Sequence, residues 1–249
     1  EENILAFAAF GFLAQIIDGT LGMAYGISST TLLLSIGLSP AAASASVHTA
    51  EIFTTAVSGL SHWRLGNVDT RLLKRLLIPG VIGGVVGAYL LTALPANIVK
   101  PFVSIYLAVM GLVILIRALR RQTAEAPVTT HIEPLGLIGG FFDAIGGGGW
   151  GPIVTSTLVA RGNSPRFAVG SVNLAEFFVT LSESILFLLT IGLTHWTVVV
   201  GLLLGGVLAA PVAAYVCKRL PARALMVLVG ILIILLSIRT IYLALAPFN

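Results

Sequence analysis

Five of the ten acidic residues, Asp18, Glu51, Asp143, Glu176 and Glu183, stand inside long apolar runs. At bilayer depth an ionised carboxylate costs about 2.5–3.5 kcal/mol on insertion scales, so an acid kept there has work to do. It can take up a proton, hold a cation or cap a helix end. Asp18 and Asp143 each precede a glycine-interrupted turn, where an Asp also caps the helix that follows. His48, Glu51, Thr55 and Ser58 recur at helical spacing and share one face. Asn173, Glu176, Thr180 and Glu183 recur at the same spacing further on. Two such stripes are most easily buried against each other or against a shared cavity. As bland a role as an interhelical hydrogen-bond network fits them too. His48 and Glu51 are metal-ligand types, but no third or fourth ligand is evident in the sequence and no metal is assigned.

A second kind of chemistry sits at two glycine-rich breaks, where new helices are expected to start. The first start holds Gly26, Ser28, Ser29, Thr30 and Thr31; the second holds Gly151, Pro152, Thr155, Ser156 and Thr157. Free N–H groups and the positive end of the helix dipole favour an anion at such a start, and hydroxyls add donors. No Lys or Arg lies near either break, so an anion would rest on N–H groups, hydroxyls, His48 and Asn173. Neighbouring carboxylates repel it unless protonated. Glu51, Glu176, Asp18 and Asp143 are therefore the proton-coupling candidates.

The elements that must position these residues are membrane helices. The chain has 249 residues, 57% hydrophobic and only 10% charged, with a mean hydropathy of +1.03. A soluble domain carries roughly 25% charged residues. This composition excludes an ordinary soluble, disordered or disulfide-rich protein, and continuous apolar runs near 20 residues exclude a β-barrel. The lone Cys217 reads as a small hydrophobe. No signal peptide, lipidation motif, nucleotide-binding loop or cofactor motif is read, and the basic balance (net charge +4) reads as topology rather than nucleic-acid binding. Apolar segments fall at 3–37, 41–62, 72–93, 97–117, 134–160, 166–193, 196–217 and 222–246. The first and fifth are too long for one crossing and are broken by glycines. Such backbone survives at membrane depth only when protein covers it or water reaches it.

A shift of 125 residues aligns Asp18 with Asp143, Gly26 with Gly151 and Glu51 with Glu176, with about 15 of 38 positions identical between 18 and 55. We therefore expect two homologous repeats, 1–122 and 132–249, joined by a cytoplasmic linker at 123–131. The bases fix their orientation. If each broken segment is a hairpin that returns to its starting side, the halves are inverted, both termini lie outside the cytoplasm, and 12 of 14 basic residues fall on one side, leaving Lys100 and Arg239 elsewhere. The expected fold is all-α and polytopic: two inverted repeats, each a glycine-broken helical hairpin plus three transmembrane helices.

Several patterns resemble one family. They are the Asp-Gly-x-x-Gly-x-x-x-Gly pattern from Asp18 to Gly26, its counterpart from Asp143 to Gly151, Gly37-Leu38-Ser39-Pro40, Gly66-Asn67-Val68-Asp69, and Arg161-Gly162-Asn163-Ser164-Pro165-Arg166. Taken in order and duplicated, they resemble the sulfite exporter TauE/SafE family over essentially the whole chain. The resemblance implies a secondary transporter of the bacterial inner membrane that moves sulfite or an organosulfonate, commonly outward. Its partners would be a small anion, the bilayer and protons; an oligomer is open. One departure is that Ala41 stands where the second half has Arg166. The rival reading is a cation or metal-ion transporter using the intramembrane carboxylates. An intramembrane enzyme lacks its motifs here: there is no His-Glu-x-x-His and no Gly-x-Ser-x-Gly.

Overall fold

The computed structural model describes residues 3–119, 130–216 and 222–245. Helices α1 (Ile4–Leu21), α2 (Tyr25–Ser35), α3 (Pro40–Arg64), α4 (Thr70–Ala93) and α5 (Ala96–Leu119) form the first half. The second half runs through α6 (Ile132–Gly146), a π-helical turn (Gly151–Thr155) that continues into α7 (Ser156–Ala160), then α8 (Pro165–Thr190), α9 (Trp196–Val216) and α10 (Ala222–Leu245). Residues 123–129 of the expected linker, with 120–122 before them, and Cys217, Lys218 and Arg219 lie outside the described residues.

Local sequence explains the boundaries. Asn3 and Asp69 cap α1 and α4 through side-chain oxygens that accept N–H bonds from the first turns. Ser39 does the same for α3, with Pro40 at its first position, where a missing N–H costs nothing. Gly22 and Gly147 end α1 and α6 in the left-handed conformation, φ 67° and 64°, which a residue with a Cβ adopts only under strain.

Among the described residues, three helices are long and apolar enough to cross a membrane: Thr70–Ala93, Ala96–Leu119 and Arg166–Thr190. Shorter apolar stretches lie in α1, α9 and α10. Exposed side chains on α4 (Ile78, Ile82, Val86, Tyr89) and α5 (Phe102, Ile105, Val109, Leu112, Ile116) form continuous apolar stripes. The interior, by contrast, holds His48, Glu51, Asp143, Glu176 and Glu183. This is the inverse of a water-soluble protein and fits a multi-pass protein whose outer surface meets lipid.

The most extensive packing joins one half to the other: α1 with α9, α4 with α6, α5 with α10, and α3 with α8. Glycines set the distance in the first two pairs. A Cβ on Gly83 would strike the Leu137 carbonyl, one on Gly140 the Gly80 carbonyl, and one on Gly205 the Ala8 carbonyl. Helix backbones this close are the small-residue packing of membrane interiors, which gains contact without a hydrophobic drive. The glycines of α4 therefore serve packing, as their spacing on an unbroken helix suggests.

Candidate functional site

The site grows from the two breaks. The Asp18 carboxylate accepts the Tyr25 N–H at 3.4 Å. Asp143 accepts the Gly149 and Trp150 N–H groups at 2.7 and 2.9 Å. Each Asp thus leaves the end of one half-helix and caps the start of the next. A carboxylate already occupies part of the positive helix end that sequence reasoning offered to an anion.

The breaks interlock. A Cβ on Gly26 would land on Gly148, one on Gly148 would land between Gly26 and Ile27, and one on Gly151 would meet Gly22 and Met23. Thr30 closes the crossing by donating to the Gly147 carbonyl at 2.7 Å. Gly148 takes φ 139°, which a glycine adopts freely, whereas Ala24 at φ 103° holds backbone strain beside the first break.

Around this crossing the two polar stripes meet. His48 Nε2 lies 2.8 Å from Glu183 Oε2 and 3.5 Å from Asp143 Oδ2, with all three side chains at most 1% exposed. Ten residues on, Ser58 Oγ accepts from Asn173 Nδ2 at 3.0 Å. Position 48 therefore meets 183 while 58 meets 173, so α3 and α8 cross antiparallel. The 125-residue shift makes Asn173 the counterpart of His48, and Glu183 the counterpart of Ser58. The crossing has one ionic contact and one neutral contact at equivalent places. Sequence reasoning proposed the stripes but missed that His48 belongs with Glu183 and Asp143. Those partners lie in the other half, and only the antiparallel register of the α3/α8 crossing brings them together.

The remaining candidates separate by what their polar atoms do. Ser28, Thr31 and Ser156 turn their hydroxyls onto carbonyls of their own helices, Ala24, Ile27 and Pro152 respectively. Ser29 Oγ, Thr155 Oγ1, Asn173 Oδ1 and Glu51 Oε2 are buried and have no hydrogen-bond partner among the described residues. Glu51 and Glu176 back-bond Thr55 and Thr180 through their main-chain carbonyls. The Glu51 carboxylate packs against Gly26, next to the crossing. Thr157 is half-buried on α7. His48 Nε2 faces Glu183 and Asp143 and has no hydrogen-bond partner among the described residues.

The two ends of the α3/α8 pair differ. At one end a cavity of about 180 Å³ opens between the start of α3 and the end of α8, lined by Ser39, Ala42, Ala45, Ser46, Gly192 and Thr194. At the equivalent place on the other end the space is filled. Arg166 donates to the Asn67 side chain and to the Leu65 carbonyl, and Ser171 Oγ accepts from the Asp69 N–H at 2.8 Å. Arg161 on the Thr130 carbonyl and Arg75 on Glu133 lie at linker-flanking positions of the same sequence regions, so three of the basic segments are drawn together.

Comparison with known proteins gives one consistent result. A family model described as Sulfite exporter TauE/SafE matches residues 7–240. The chain is 46% identical over 250 residues to the "Probable membrane transporter protein YtnM" of Bacillus subtilis (strain 168), covering 96% of this chain and 83% of that protein. No solved structure matches significantly.

Proposed function

The chain belongs to the sulfite exporter TauE/SafE family, and from that premise we propose that it is a secondary transporter of a small sulfur-containing anion, sulfite or an organosulfonate, working outward across the bacterial inner membrane. Access alternates at the interface of two inverted repeats. The observation that carries this reading is the buried interlock of two glycine breaks, flanked by Ser29, Thr155 and Asn173 oxygens with no partner. Paired, interrupted helices at corresponding positions are where transporters of this type hold substrate.

Inversion is supported by the antiparallel crossing of the homologous helices α3 and α8. It is supported again by the approach of the Arg75, Arg161 and Arg166 regions, which makes their end the cytoplasmic one. The cavity end carries no Lys or Arg in the loops at 36–39 and 191–195, and Arg239 reaches the Ser35 carbonyl there. Anion binding beside Glu51, Glu176, Asp18 and Asp143 requires that charge be neutralised, so substrate and proton bind together. The rival cation reading draws on one specific feature: His48, Asp143 and Glu183 offer ligand atoms within 4.8 Å of one another.

Purified protein in liposomes separates the two. Radiolabelled sulfite counterflow is expected, with tighter binding as pH falls, and no comparable affinity for divalent metals. Glu51→Gln combined with Glu176→Gln is expected to flatten that pH dependence. Transport indifferent both to pH and to the double substitution sinks proton coupling; metal affinity without sulfite affinity sinks the anion.

A further inference from the structure

His48 admits a proton count. Its Nδ1 lies 2.8 Å from the Ser44 carbonyl, which can only accept, so Nδ1 carries a hydrogen. Ser44 Oγ spends its own hydrogen on the Ala144 carbonyl at 2.6 Å. The imidazole is thereby held in one tautomer, with Nε2 presented to two carboxylates. With no further proton this group of three carries two negative charges; one proton shared at Nε2 leaves one, and a second leaves none. Each step is costly to omit in a dry interior.

The 2.8 Å approach of His48 Nε2 to Glu183 Oε2 is closer than the about 3.3 Å between ligands of a tetrahedral zinc-sized ion with bonds near 2.0–2.1 Å. His48 Nε2, Glu183 Oε2 and Asp143 Oδ2 have no hydrogen-bond partner among the described residues, so each is open to a proton. Glu183 Oε1, 0% exposed, has no hydrogen-bond partner among the described residues and leaves an acceptor for a second proton.

The cavity ends one helical turn short of His48. Ala41, Ala45 and His48 follow one another at helical spacing on α3, and the cavity is lined by Ala41 and Ala45. His48 lies about 4.5 Å further along the axis than Ala45 at 1.5 Å per residue. A space of about 180 Å³ holds several waters, each occupying roughly 30 Å³ of liquid.

We propose that His48, Asp143 and Glu183 form a proton-binding site, reached from the cavity at Ser39 to Ser46, which exists at one end of the α3/α8 crossing and is absent from the other. At the opposite end the same positions hold Asn173 and Ser58, which carry no exchangeable charge, and the counterpart of Asp143 is Asp18. Facing groups come from every neighbouring element. Asp143 is on α6, Glu183 on α8, Glu51 one turn along α3, Asp18 on α1, and Tyr106 on α5; α4 contributes only Gly84, against the Glu183 carboxylate, and Phe187 walls the imidazole. Asp143 ties the proton to the transport route, since its other oxygen caps the second break. Its use in transport rests on the proposed function; its existence does not.

Two measurements test it. Infrared difference spectra of the chain in lipid, without substrate, are expected to show a protonated-carboxyl band that titrates reversibly. The band is lost in the double variant His48→Asn/Glu183→Ser, which copies the neutral end and so suits the same packing. Glu183→Gln, nearly isosteric, must also lose or displace it, and covers the case in which the double variant does not fold. An unchanged band in Glu183→Gln overturns the proposal. So does zinc or manganese binding that Glu183→Gln abolishes while no carboxyl band titrates.

The second measurement uses liposomes with a pH dye inside and sulfite outside. Wild type should show sulfite counterflow with luminal pH change, and the double variant a smaller pH change per sulfite moved, since Glu51 and Glu176 still take up protons. Equal pH change in both overturns the proposal. Absence of sulfite counterflow in wild type overturns the substrate instead, and the infrared band then decides the proton site alone.

Discussion

At the scale of single residues, Asp143 does two jobs with two oxygens. Oδ1 holds the Gly149 and Trp150 N–H groups and Oδ2 faces His48. The jobs are separable. Asp143→Asn keeps an acceptor for the cap, whereas Asp143→Ala removes it at a cost of about 0.5–2 kcal/mol. Thermal unfolding in detergent should therefore place Asp143→Ala clearly below wild type and Asp143→Asn between them. The cap was legible in the sequence because its partners are six and seven residues away and an Asp before a glycine turn is a local signal. The ion pair of His48 with Glu183 was not. Its partners lie 135 positions apart, and their meeting depends on the register of a crossing between halves. Of the residues expected to hold an anion, Ser28, Thr31 and Ser156 looked available because composition reports hydroxyls and says nothing of where they point. In a helix without water the nearest carbonyl of the preceding turn claims them.

At the scale of elements, the eight apolar segments anticipated the helices to within a few residues, and the two breaks anticipated where α1 and α6 stop. Length and glycine are read directly from sequence. The π-helical turn at Gly151–Thr155 was not anticipated, since Pro152 only signals a helix start and the wider turn is set by the crossing around it. Glycines differ sharply in what they are for. Gly140 meets the Gly80 backbone, whereas Gly66 faces open space in a left-handed turn, φ 67°. Gly140→Ala must push α4 and α6 apart, so its melting temperature in detergent should fall well below that of Gly66→Ala. The second change costs only local backbone strain of about 1 kcal/mol. Equal melting temperatures would mean that the α4/α6 contact is softer than its backbone approach indicates.

At the scale of the whole molecule, the two ends are unequal: a cavity faces one side while Arg166, Asn67, Ser171 and Asp69 fill the other. This inequality predicts a labelling pattern. In a Cys217→Ser background, Ala42→Cys should react with a membrane-impermeant maleimide added outside cells, and Ser171→Cys should stay unreactive from either side. Adding Arg166→Ala should expose Ser171→Cys to reagent from the cytoplasmic side of inverted vesicles. Reactivity of Ser171→Cys without that change would show that the seal is not made by Arg166. The asymmetry was half legible: Ala41 against Arg166 is in the sequence, but which end is filled requires the packing.

The interlocked backbones at Gly26 and Gly148 have a consequence for biogenesis. No part of the first half can complete its packing until the second half has left the ribosome. The partners of α1, α3, α4 and α5 are α9, α8, α6 and α10. A chain whose contacts are this distant in sequence pays its loop-closure entropy before any reward. Until then Glu51 and His48 stand in lipid or translocon without Glu183 and the second break. The polar stripe of the first half stays uncovered until the helices of the second half pack against it.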